Sequence, residues 1–327
     1  MTDAGSETLT VTPDTIEQAA RALAPHLDPT PLQYSRAFTA KTGCHVSLKI
    51  EGVQPTRAFK VRGALNKLIR MGAAEREAGL ITASAGNHGL GVAHAAQVFG
   101  VPATIYVPAS ANQLKVEAIK RLGGHVITHG RDYQAAFQEA FRVQGVTDAT
   151  FVHAFDDADV IAGQGTIAVE LLEQIPDLDT VIVPVGGGGL IAGLSLYLKH
   201  KRPQVRVIGI EPAGADAMSR SLEAGSVVTL DSVQTMADGL AASAPGIRTF
   251  EIARRCVDRM IRVSEAEMLS AVRLYFEWEH LLAEPSGAAA LAALLYHYAP
   301  ESDERVVVIL SGANMTDEVM IRALQAR

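Results

Sequence analysis

Four short segments carry residue types and spacings that could do chemistry. In "QPTRAFKVRG" (Gln54–Gly63), Lys60 directly follows Phe59 at the start of a helical pattern. Most lysines are solvated charges and a short basic run ordinarily marks an exposed face. A lysine removed from water instead loses its proton readily and becomes a nucleophile towards an aldehyde. "VPVGGGGLIAGL" (Val183–Leu194) sets Gly186, Gly187, Gly188 and Gly189 between a β-branched run and an amphipathic segment that begins at Leu190. Glycines let backbone N–H groups crowd around an anion, and the helix start behind them adds its dipole, so the segment reads as a phosphate cradle rather than a plain tight turn. It lacks the Lys-Ser/Thr of a nucleoside-triphosphate loop, and its spacing is not the dinucleotide fingerprint. "TASAGNHGLGVAHAA" (Thr82–Ala96) follows another strand candidate. Ser84, Ala85 and Gly86 permit close approach of a ligand, and Asn87 both donates and accepts, which suits a carboxylate. His88, with no carboxylate nearby in sequence to orient it, reads first as a structural hydrogen-bonding residue. "VILSGANM" (Val308–Met315) places Ser311 just past an apolar run. It is either a turn former or a neutral hydroxyl for a buried ring nitrogen.

Something must hold these segments together, and the pattern between them is an alternation. Short β-branched runs at His45–Ile50, Gly79–Ala83, Ala103–Val107, His125–Thr128, Phe151–His153, Thr180–Val185, Arg206–Glu211 and Arg305–Leu310 predict strands. Helical patterns fall at Phe59–Met71, Gly89–Phe99, Asn112–Leu122, Tyr133–Val143, Gly163–Gln174, Leu190–Lys199 and Ser264–Tyr275. The fold class is therefore α/β: two doubly wound open sheets covered by helices, with the ligand in a cleft at the strand ends. A chain of 327 residues with 48% hydrophobic content exceeds the usual size of a single core, which agrees with two lobes. The formal charge of −7 argues against a general affinity for nucleic acid or acidic membranes, and favours a small polar ligand. Cys44 and Cys256 suggest neither a disulfide framework nor a zinc site. The polar, acidic opening segment lacks the features of a secretory signal, and no apolar run approaches a membrane span, so a cytoplasmic protein is expected. "FEWEHLLAEPSGAAALAALL" places Trp278 at helical spacing and predicts core packing, while "ARRCVDRM" reads as a solvated helical face or an oligomer contact.

A lysine, a glycine cradle and a strand-end serine together match the aldehyde, the phosphate and the pyridine ring of pyridoxal 5'-phosphate. With those motifs in that order, from Thr30-Pro31-Leu32 to "SGANM", the sequence resembles the fold-type II, or tryptophan-synthase-β-like, pyridoxal-phosphate enzymes, most closely their serine/threonine dehydratase and serine racemase branch. The resemblance implies that Lys60 bonds to the cofactor aldehyde, that Phe59 packs beside the ring and that Asn87 hydrogen-bonds the ring hydroxyl. It implies further that Gly186 to Leu190 hold the phosphate, Ser311 faces the pyridine nitrogen, Ser84 to His88 take the substrate carboxylate, and Gly239 lies near the ring. Residues 1–75 and 156–327 would form a large cofactor-binding domain and residues 76–155 a small one. A homodimer is the family expectation.

The implied activity is a dehydratase, or ammonia-lyase, that converts a β-hydroxy L-amino acid to a 2-oxo acid and ammonia, with L-threonine or L-serine as the default substrate. Arg57-Ala58 stands where relatives commonly have Gly-Ser or Gly-Ala, and Leu90 where a Gln is frequent. Those departures bring phenylserine and 3-hydroxyaspartate into range, with Arg57 predicted to touch or gate the substrate side chain. Racemases place a second serine where this chain has Ala85, so little racemisation is expected. The racemase-like branch holds a divalent cation at positions matched here by Glu211 and Ala215, but Ala217 replaces its last acid, which leaves the metal doubtful. The outside alternative is a non-catalytic protein that binds pyridoxal phosphate or a nucleotide.

Overall fold

A computed structural model describes residues 10–325; the acidic opening segment lies largely outside them. In chain order the elements are α1 (Pro13–Leu23), β1 (Leu32–Tyr34), α2 (Arg36–Thr42), β2 (His45–Ile50), α3 (Lys60–Arg70), α4 (Ala73–Ala78), β3 (Leu80–Ala83), α5 (Asn87–Phe99), β4 (Ala103–Val107), α6 (Gln113–Arg121), β5 (His125–Thr128), α7 (Tyr133–Gln144), β6 (Thr150–Phe151) and α8 (Ala158–Gln174). There follow β7 (Thr180–Pro184), α9 (Gly189–Lys201), β8 (Arg206–Pro212), α10 (Ala217–Ala224), α11 (Ile247–Cys256), β9 (Arg259–Val263), α12 (Glu265–Glu279), α13 (Pro285–Tyr296), β10 (Arg305–Leu310) and α14 (Asp317–Gln325).

The strands form two sheets, a six-stranded one in the order β1-β2-β10-β7-β8-β9 and a four-stranded one in the order β5-β4-β3-β6. All pairings are parallel except β1 with β2, so the expected open parallel sheets acquire one antiparallel edge. Every residue of β7 is buried, as parallel strands covered on both faces require. Helix α3 is gripped on two sides. A Cβ on Gly63 would collide with Gln164 and Val160 of α8, and one on Gly163 would come within 2.6 Å of the Gly63 Cα. On the other side, a Cβ on Gly91 of α5 would lie 3.2 Å from the Lys60 carbonyl carbon. Small residues at these crossings let three helices approach closely around the first turn of α3.

Several boundaries differ from the sequence expectation for local reasons. Helix α8 begins at Ala158 rather than Gly163 because the Asp157 carboxylate accepts the N–H groups of Asp159 (2.9 Å) and Val160 (3.1 Å). Helix α5 starts at Asn87, with Gly86 as its N-cap. "ARRCVDRM" is not one helical face: α11 ends at Cys256, and Arg259 and Met260 open the edge strand β9, whose alternation exposes Arg259 and Arg262 and buries Ile261 and Val263. Trp278 is 40% exposed and sits over Phe38 (ring centroids 5.5 Å), while the core position on α12 belongs to Tyr275. His280, with φ of 55°, ends α12 there, and Pro285 starts α13. Both cysteines are free. Among the described residues no helix is long and apolar enough to cross a membrane.

Candidate active site

The parallel register brings the motifs to one sheet edge. Val308 of β10 pairs with Ile182 of β7, and Leu310 with Ile50 of β2, so Ser311 and the glycine segment emerge side by side. The chain before α3 is stitched to the same edge: Phe59 N–H donates to the Ser311 carbonyl (3.1 Å), and Ala58 bridges to Gly312. Lys60 and Ser311, 251 residues apart in sequence by subtraction of their numbers, are thus joined through the main chain.

Lys60 is partly buried, and its Nζ donates to the Ala154 carbonyl (2.7 Å) at 5.2 Å from the Phe59 ring centroid. No carboxylate among the described residues pairs with it, and burial lowers its pKa to about 8. This amine gives up its proton far more readily than an ordinary lysine.

The glycine segment turns through Gly188 (φ 94°), and α9 starts at Gly189 with no side-chain cap, which leaves first-turn N–H groups available to an anion. The Phe155 ring packs against Gly187, where any Cβ would collide with it, and a Cβ on Gly186 would lie 3.0 Å from the Leu240 Cα. Thr249 Oγ1 fixes the loop by donating to the Gly187 carbonyl (2.7 Å), and buried Leu190 anchors α9. Gly239 sits across from this loop, its N–H donating to Ser286 Oγ (3.0 Å).

From the four-stranded sheet comes the Ser84–His88 loop. Ser84 Oγ accepts the Gly86 N–H (3.1 Å), and Asn87 Nδ2 donates to Glu284 Oε1 (2.5 Å) while its Oδ1 accepts from Asn314 Nδ2 (2.8 Å). Asn87 therefore reaches from its own sheet to groups beside Ser311. His88 is used in the wall: its Nε2 lies 2.9 Å from the Val152 carbonyl, and burial, with Lys60's charge adding, lowers its pKa to about 3. It is a neutral structural imidazole. Ala85 presents no hydroxyl.

Arg57 is exposed and has φ of 59°, in the left-handed region. That backbone accounts for the glycine expected in relatives at this position. Its N–H donates to the Gln54 carbonyl and its carbonyl accepts the Ala313 N–H (both 2.8 Å), while its guanidinium makes no hydrogen bond or ion pair to the described residues.

Glu211 and Ala215 are not arranged for a cation. The Glu211 carboxylate accepts from the N–H groups of Met218 and Ser219 (2.8 Å each) and from Ser219 Oγ (2.6 Å), so α10 supplies by hydrogen bonds what a metal would supply by charge. Burial pushes its pKa up to about 7. Asp216 turns away to Arg220 (2.8 Å) and Arg262 (2.9 Å), and Ala217 offers nothing. These residues do not fit a divalent cation, and no group of three or more His, Cys, Asp or Glu among the described residues could hold one.

Sequence reasoning missed the segment after β6. Ala154 receives Lys60, Phe155 covers the glycine loop, and Asp156 accepts the N–H groups of Arg248 (2.9 Å) and Ile247 (3.1 Å) at the start of α11. Its position after a parallel strand was the available signal, as for the other loops.

The residues present fit pyridoxal phosphate. An amine with a lowered pKa, a glycine loop with uncapped N–H groups, a strand-end hydroxyl with no protein partner among the described residues, and a buried carboxyl oxygen of Glu284 left without a partner each leave one group for a ligand. A family model described as "Pyridoxal-phosphate dependent enzyme" matches residues 23–312. The chain belongs to this family and is a pyridoxal-phosphate-dependent enzyme of the fold-type II architecture. Within the family it is 40% identical to an L-threonine ammonia-lyase of Thermotoga maritima over 96% of this chain and 78% of that one. It is 38% identical to a serine racemase of Oryza sativa over 95% and 93%. Among solved structures, maize serine racemase superposes with a TM-score of 0.92 at 36% identity over 97% of each chain.

Proposed function

We propose that this pyridoxal-phosphate-dependent ammonia-lyase acts on a β-hydroxy L-amino acid, L-threonine or L-serine, and releases a 2-oxo acid and ammonia. The observation that carries the reading is the pairing of a half-buried, weakly basic Lys60 with Ser311 rather than an acid at the strand end. When bound, pyridoxal phosphate supplies an aldehyde for the amine and a ring that withdraws electrons from the α-carbon. Lys60 Nζ, freed for the substrate, would take the α-proton. The β-carbon–oxygen bond would then break and the leaving hydroxyl would depart as water, its proton balanced by the α-proton taken up; water added at the α-carbon would release ammonia and the 2-oxo acid. Gly186 to Leu190 would hold the phosphate, Asn87 would orient the ring, and Ser84 to Gly86 would take the substrate carboxylate. A neutral Ser311 would leave the ring nitrogen without a permanent proton, which would favour elimination over transamination.

The relatives include serine racemases, and Ala85 supports the lyase reading here, because it offers no hydroxyl to return a proton to the α-carbon. Purified enzyme given β-hydroxy amino acids is expected to release ammonia and 2-oxo acid; sustained formation of D-serine would overturn the lyase reading. Lys60→Ala is expected to lose the visible absorbance of lysine-bound cofactor, and an unchanged spectrum would revive a non-catalytic binding protein. Arg57, unpaired on the loop that leads into Lys60, extends the substrate range towards 3-hydroxyaspartate or phenylserine. Residues 1–75 with 156–327 as one lobe and 76–155 as the other, in a cytoplasmic homodimer, complete the reading; sedimentation of the purified enzyme checks the dimer.

A further inference from the structure

Glu284 is a buried carboxyl at the site that the proposed reaction leaves without a task. It is only 2% exposed and stands at the N-cap of α13, yet its side chain does not cap that helix. Its N–H donates to the Gly312 carbonyl (3.1 Å), and its Oε1 is so close to Gly312 that a Cβ there would collide with it. Oε1 accepts from Asn87 Nδ2; Asn87 Oδ1 accepts from Asn314 Nδ2, which also donates to the Thr56 carbonyl (2.8 Å). A chain of hydrogen bonds therefore runs from the loop before Lys60, through Asn314 and Asn87, to Glu284. Its far end is open: Glu284 Oε2 is buried with no partner.

A buried carboxylate oxygen without a donor is costly, whereas a carboxylic acid can place a hydroxyl there and aim it at an acceptor. Burial pushes the Glu284 pKa up to about 8, the charge of Asp238 adds to that, and Lys115 and the Asn87 hydrogen bond oppose it. With Oε1 occupied as an acceptor, the proton belongs on Oε2. The surroundings are those of the cofactor site: the Asn87 amide nitrogen lies 3.3 Å from where a Gly312 Cβ would be and 3.9 Å from that of Gly239.

We infer that Glu284 is a positioning residue that works as a neutral acid: Oε1 locks the Asn87 amide in one orientation, and the Oε2 hydroxyl donates a hydrogen bond to the cofactor held beside Asn87. The inference rests on the site being a pyridoxal-phosphate site. It differs from a purely structural carboxyl in what each variant and pH should do to cofactor affinity.

The test is a titration of apoenzyme with pyridoxal phosphate, read as a dissociation constant from pH 6.5 to 9.5, for wild type, Glu284→Gln and Glu284→Ala, with the thermal midpoint of each apoprotein measured alongside. Gln keeps an acceptor for Asn87 and replaces the hydroxyl by a permanent N–H donor. Wild type is expected to lose affinity about tenfold as pH rises through the range in which Glu284 ionises, Gln to lack that loss, and Ala to bind about tenfold or more weakly at neutral pH. Lys60 titrates in the same range, so the difference between wild type and Gln is the quantity read. The same pH profile for wild type and Gln, or an Ala variant that binds as wild type does, would overturn the inference; should Ala fail to fold, the Gln profile still decides. If wild type took up no pyridoxal phosphate, the site reading itself would fail, an outcome separate from any Glu284 result.

Discussion

Two clusters of buried polar groups lie either side of the first turn of α3, and they are finished differently. Beneath it, Arg62 donates to Glu51 (2.8 Å from both Nε and Nη2), to Glu170 (2.5 Å) and to Thr166 (3.1 Å). Lys49 completes the group on Glu170, the Thr30 carbonyl and Gln174. Burial alone would lower Arg62's pKa and raise Glu51's, yet their pairing leaves Arg62 above and Glu51 below their ordinary values. Two residues earlier, Lys60 has a single carbonyl partner, and Glu284 keeps an oxygen unmatched. Closed circuits of charge tie β2, α3 and α8 into a scaffold, whereas Lys60 and Glu284 keep bonding capacity that a ligand can take up.

The comparison can be broken most sharply at its open side. Lys60→Ala should lower 2-oxo acid release by about a thousandfold or more, because nucleophile and base are removed together, while the apoprotein melts near the wild-type temperature. On the closed side, Arg62→Met should cost about 3–5 kcal/mol in denaturant unfolding, since the buried Glu51 carboxylate loses its counter-charge and Glu170 keeps only Lys49. A cost below about 1 kcal/mol would remove the distinction between the clusters.

A third test uses pH. Glu211 and Glu284 are raised by burial to about 7 and about 8, so the folded protein holds protons that the unfolded chain gives up in the ordinary carboxylate range. Their contribution is complete below that range and is lost as pH rises through 7 and 8. The apoprotein melting temperature should accordingly fall by a few degrees from pH 5 to pH 9, and the double variant Glu211→Gln with Glu284→Gln should flatten the decline. The smallest effect is expected at Arg57. Relief of its left-handed backbone by Arg57→Gly should stabilise the protein by about 1 kcal/mol, and the preference among β-hydroxy amino acids should shift away from acidic or bulky side chains. An unchanged substrate profile would remove Arg57 from the substrate pocket.

Much of the fold was legible because buried parallel strands such as "TVIVP" and "RVVVIL" announce themselves by composition, and glycines mark the turns that leave them. The site segments stood out for the same reason. What escaped was set by long-range contact. Strand β9 alternates arginine with apolar residues because it lies at an edge, and out of context "RMIRV" reads as part of a charged helix. Ala154 acts through its backbone carbonyl, which no residue type advertises. The positive φ at Arg57 is likewise invisible in a string of letters.

The hydrogen bond from Phe59 N–H to the Ser311 carbonyl works as a gauge block. The amine of one segment and the hydroxyl of another are spaced by main-chain atoms, so substitution can alter what either end presents without resetting the distance between them. Replacing Ser311 by cysteine or aspartate would thus vary the proton affinity of the strand-end side chain at nearly constant geometry, a controlled experiment already set up by the fold.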